Sequence, residues 1–137
     1  MNITDVITIF ISSFSFVVSL VVYIKSIQNN KISNSNSIIN AHREIWMNYI
    51  QNEKLHRILK SNLNLQLYPI TLQERKFIQI ILIHAQNCFR SKKYNLYFVP
   101  NKFKEDINNF LSNQIPNEVW QKTKQFYDKD FCDIITG

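Results

Sequence analysis

VITIFISSFSFVVSLVVYI, residues 6–24, holds no charged side chain and consists mostly of Ile, Val, Phe and Leu. At ~1.5 Å per residue a helix of this length spans ~28 Å, close to the hydrocarbon thickness of a bilayer. Asp5 bounds the stretch on one side and Lys25 on the other. Its apolar residues cover nearly every face, which disfavours a buried helix of a soluble core. A secretory signal opens with basic residues and closes on small ones at a cleavage site. Here Asp5 precedes the stretch without any Lys or Arg, and Val21, Val22, Tyr23 and Ile24 lead directly into Lys25. Residues 1–25 are therefore expected to be an uncleaved transmembrane helix with a short external N-terminus.

Orientation follows from the flanks. Lys25, Lys31 and Arg43 come after the span and no basic side chain precedes it, so the positive-inside rule places the C-terminal part in the cytoplasm. The expected topology is a single membrane crossing.

The polar residues of the span are ordered. Asp5, Thr8, Ser12, Ser15 and Ser19 follow a 3-4-3-4 spacing, which at ~100° per residue confines them to an arc of ~80°. Small hydroxyl residues let helices approach closely in lipid and hydrogen-bond across the contact. In a ring of helices the same stripe lines a wet pore, with Asp5 at the outer mouth. The plain alternative is that each hydroxyl bonds the carbonyl one turn back. All three readings stand at this point.

Residues 26–37 (SIQNNKISNSNS) are polar and lack apolar periodicity, and read as a linker or as a polar continuation of the helix. Residues 38–137 read as a small antiparallel bundle of about four helices. The first covers 38–60, with Ile45, Trp46 and Tyr49 on its apolar face. Thr71-Leu72-Gln73-Glu74 is a capping box that opens a helix to about Lys93, apolar around Ile80 and read as the central core helix. A third covers 102–112, and Pro116 opens the last, with Val119, Trp120, Thr123, Tyr127, Asp130, Phe131 and Ile134 on one face. The fold class is thus all-α.

Composition narrows the function. The one glycine is Gly137, so Gly-rich phosphate loops and dinucleotide fingerprints are excluded. The net charge is +6, which for a membrane-anchored domain favours a lipid surface first and nucleic acid second. Lys25, Lys31, Arg90, Lys92 and Lys93 are the candidate contacts for either. Arg90, Lys92 and Lys93, followed by Tyr94, Tyr97 and Phe98, could hold single-stranded RNA by charge and stacking. They equally suit a helix C-terminus with aromatics packed on the core.

His84 and Cys88, four apart, lack the further ligands zinc needs, and His42 and His56 have no acidic partner. Cys88 and Cys132 show no disulfide-framework spacing and read as reduced thiols. Glu105 and Asp106 are adjacent and suit a helix N-terminus. No nucleophile–base pair stands out, so the expectation is a non-enzyme without cofactor or metal.

The N-terminal span, Ile45-Trp46 within NAHREIWMNYIQNEKLHRIL, TLQE at 71–74 and DINNFLSNQIPNEVWQKTKQFYDKDFCDII carry a resemblance in layout. The chain resembles small bacterial membrane proteins of phage defence: abortive-infection families and the membrane accessory protein of type VI-B CRISPR systems, which assembles into a ring-shaped pore. The ribonuclease motif of some helical defence proteins, an Arg with a His four to six residues on, is absent from this sequence. The resemblance implies a self-associating membrane effector. Its implied partners are the bilayer, further copies of the chain, and a defence-system protein or RNA. A membrane-tethered adaptor that forms no pore is the alternative.

Overall fold

The computed structural model describes residues 2–94, 96 and 102–136, and every regular element among them is helical. The first, α1 (Ile3–Gln51), is a single helix of 49 residues, ~73 Å long at the standard rise. It includes residues 26–37, so the polar stretch is the helix continuation and not a linker. No Gly or Pro lies between residues 3 and 51, and those are the usual causes of a kink. Ser and Asn cost only a few tenths of a kcal/mol each against Ala, so a helix held at both ends runs through them.

The separate helix expected over 38–60 is not formed. Residues 38–51 belong to α1, the chain turns at extended Asn52, and a 3-10 helix follows over Glu53–Leu59. Its three-residue repeat puts Leu55 and Ile58 on one side, where both are buried. Asn62 adopts a left-handed φ of 61°, a conformation Asn tolerates better than other side chains with a Cβ. Asn64 then accepts the amides of Gln66 and Leu67 through Oδ1.

The helix α2 (Leu72–Lys93) opens as the capping box predicts. The Glu74 amide donates to Thr71 Oγ1 at 3.2 Å, and the Thr71 amide donates to Glu74 Oε2 at 2.8 Å. Phe77, Ile78, Leu82 and Ala85 are buried, so α2 does run through the core. Its buried face is centred on Ile78 and Leu82, however, and Ile80 is about half exposed.

Two shorter helices follow, α3 (Phe103–Leu111) and α4 (Gln114–Thr123). Pro116 sits in the first turn of α4, where its missing N–H has no intrahelical partner to lose. The single last helix expected from Pro116 is instead broken. A 3-10 turn over Lys124–Phe126 and extended Tyr127 separate α4 from α5 (Lys129–Thr136). The largely buried Gln86 accepts the Asp128 amide at 2.8 Å across the break. The break seats Phe131 against Trp120 and Phe89, with ring centroids 6.3 and 6.2 Å apart.

The core therefore forms where the Glu53–Leu59 turn, α2, α4 and α5 meet, around Leu55, Ile58, Ile78, Leu82, Ile115 and Phe131. Each fully buried side chain of this size contributes about 1.5–3 kcal/mol. A charged pair is built into its edge: Arg57 Nε lies 2.6 Å from Glu74 Oε1, with Glu74 essentially buried. Arg57 also donates to the carbonyls of Tyr68 and Pro69. One guanidinium thus ties residues 68–69 to the N-terminus of α2.

Candidate functional site

The N-terminal half of α1 has no cover from the other described residues. Its most apolar window is long and hydrophobic enough to cross a bilayer, and none of it is buried. Asp5, Thr8, Ser12, Ser15 and Ser19 are all exposed. Two of the stripe residues also have local partners. Asp5 Oδ2 accepts the Asn2 amide at 3.0 Å, which caps the helix. Thr8 Oγ1 donates to the Thr4 carbonyl at 2.8 Å, the back-bond of the plain reading.

Because α1 is continuous, the stripe keeps its phase beyond the apolar stretch. Ser26, Asn30, Ser33 and Ser37 fall within the same ~80° arc at ~100° per residue, and all four are exposed. The signal was present in the spacing, but it means something only once residues 26–37 are known to be helical.

The bundle packs on a different side of α1. Ile38 is buried against Cys88 and Phe103, and Ala41, Ile45 and Tyr49 are half-buried. Among the described residues, Asn34 donates to Ser91 Oγ and to the Leu96 carbonyl, both at 3.3 Å. At ~100° per residue this face is centred ~80° away from the hydroxyl stripe. The stripe is unobstructed along the whole helix.

A second feature came from no sequence motif. An apolar groove of about 470 Å³ lies between α1, α2 and α3, lined among others by Trp46, Phe77, Ile81 and Ile107. Volume and lining are those of a ligand-sized cleft. Its walls come from these three helices and from Ile58 and Leu59 of the 3-10 helix, so no local pattern announces it. His42 and His84 stand at its edge with ring centroids 5.7 Å apart. The Trp46 indole donates to His42 Nε2 at 2.9 Å.

His84 and Cys88 do meet, with Nε2 and Sγ 3.7 Å apart. Burial lowers the His84 pKa, with His42 adding to the effect. Burial also pushes the Cys88 thiol up to about 11, so at neutral pH it is protonated and a poor nucleophile. Among the described residues no three His, Cys, Asp or Glu side chains gather as metal ligands. Glu105 and Asp106 lie in the first turn of α3.

The basic cluster is placed at the end of α2 and largely paired. Arg90 donates twice to Asp128, at 2.6 and 2.8 Å, and Lys93 pairs with Asp130. The bond from Arg90 holds the Asp128 carboxyl below its ordinary pKa. Lys92 and Tyr94 are exposed, whereas Tyr97 and Phe98 lie outside the described residues. Lys25 and Lys31 are exposed on α1, at and beyond the end of the apolar stretch. No protein family, no curated protein and no solved structure matches the chain.

Proposed function

We propose that this chain is a single-pass membrane protein that self-associates along Asp5, Thr8, Ser12, Ser15 and Ser19, with residues 38–137 in the cytoplasm. The observation that carries the reading is the unobstructed stripe: the bundle packs ~80° to one side of it, so parallel copies can bring their stripes together. In lipid, close approach and interhelical hydrogen bonds are what hold helices to one another. Lys25 and Lys31 then face the anionic inner leaflet. A ring of such helices would permeabilise the inner membrane, and the layout fits an effector of anti-phage defence. The reading is non-enzymatic.

The test is the size of the detergent-solubilised protein, together with depolarisation of cells that express it. A discrete oligomer and leakage, both reduced by Ser12→Leu with Ser15→Leu, are expected. A strictly monomeric protein, or leakage indifferent to the double substitution, sinks the reading. The apolar groove favours a second reading, an adaptor whose bundle holds a partner while α1 only anchors it. Replacing residues 3–25 with an unrelated membrane helix separates the two, since an adaptor survives the exchange.

A further inference from the structure

We infer that α1 is a rigid shaft, which locks the height and rotational phase of the membrane stripe to the bundle. The inference rests on the membrane reading above and extends it to how the two parts communicate. A membrane anchor commonly leaves the bilayer into a flexible tether, and then the domain turns independently of the span. Here only residues 26–33 separate Lys25 from the bundle contact at Asn34, and all of them are helical and exposed. Eight residues make a stalk of ~12 Å, a little over two turns. With no Gly or Pro in it, the stalk has neither of the usual kink sites.

The bundle grips α1 over several turns, from Asn34 through Ile38 and Ile45 to Tyr49, whose ring stacks on Phe77 at 6.2 Å. A turn of the bundle about α1 is therefore a turn of Ser12, Ser15 and Ser19 in the membrane. The groove lies against this gripping segment, so an occupant that shifts α1 against α2 acts on the span directly. Height is locked as well, because the bundle cannot approach or leave the lipid without moving the span.

The shaft is tested with the full chain in nanodiscs, diluted with unlabelled protein so that only distances within one chain are read. Spin labels go on Ser19→Cys and Asn40→Cys, in a background carrying Cys88→Ala and Cys132→Ser. A narrow distribution near 32 Å is expected from 21 residues of continuous helix, at ~1.5 Å each. Two alanines inserted after Asn30 should lengthen it by ~3 Å and keep it narrow. They turn the stripe ~200° against the bundle, while seven inserted residues return it to within ~20°. A broad or two-peaked distribution in the parent chain, or an insertion that leaves the distance unchanged, overturns the shaft. Failure of the self-association reading is separate: a monomer with a narrow distribution sinks that reading and leaves the shaft standing.

Discussion

On the membrane reading proposed above, the two halves of α1 are one helix in two solvents. In residues 6–24 the helix is obligatory, because lipid offers no partner for an unpaired backbone group. Ile, Val and Ser are indifferent helix formers in water, yet they serve there without penalty. In residues 26–51 water competes for every backbone group, and a Ser- and Asn-rich segment has little helical preference of its own. That half is held by packing at Asn34, Ile38, Ala41, Ile45 and Tyr49. The comparison teaches that continuity of α1 is a property of the bundle as much as of the span. Whatever loosens the bundle should melt the lower half and spare the upper.

The largest effect should come from Glu74→Ala. It leaves Arg57 without its buried partner and removes the carboxylate half of the α2 capping box, and breaking a pair of this kind costs about 3–5 kcal/mol. Circular dichroism of the detergent-solubilised protein should show the bundle signal lost early, with residual helix that resists heating. Full loss of helicity in one step would break the comparison. Next, Leu82→Ala in the α2 core should cost about 2–5 kcal/mol and lower the midpoint of the same transition. The upper half responds to other changes. Ser12→Leu with Ser15→Leu should leave the melt intact and weaken association, at about 0.6 kcal/mol per lost interhelical bond. Sedimentation in detergent reads that difference.

A smaller effect is expected from acid. His84 has its pKa lowered by burial and by His42, so the unfolded chain takes up its proton first. Bound protons are then more numerous in the unfolded state, and stability falls as pH drops below the ordinary histidine value of 6.5 toward the lowered one. Melting midpoints at pH 7.5 and 5.5 should differ in the parent and converge in His84→Gln. The smallest effect belongs to Arg90→Ala. Its pair with Asp128 is exposed, and such pairs add little to stability. The midpoint should hardly move, and a large drop would show that α2 and α5 depend on that clamp.

Period and caps were readable from the residues themselves. The apolar run at 6–24, the hydroxyl spacing, the Thr71–Glu74 box and Pro116 in a first turn each act over a few residues. What escaped reading depends on partners distant along the chain. Residues 26–37 are helical because packing begins at Asn34, and nothing inside SIQNNKISNSNS distinguishes that from a tether. The last helix breaks at Tyr127 because Gln86 takes the Asp128 amide. Arg90 and Lys93 resembled a surface for phosphates until Asp128 and Asp130 were placed beside them. The groove, shared among four helical segments, had no local pattern at all.

The grip on α1 also has a consequence in time. Every residue that covers its lower half is synthesised later: His56 and Phe77 for Tyr49, Cys88 and Phe103 for Ile38. At about 5–20 residues per second, Ile38 leaves the ribosome some seconds before its neighbours exist. On the membrane reading, during that interval the span is already available to the bilayer, while Ile38 and Ile45 have no protein to pack on. The nascent helix would meet lipid before it meets its own domain, so the order of translation itself favours seating the membrane half first and docking the bundle onto a helix already fixed in place.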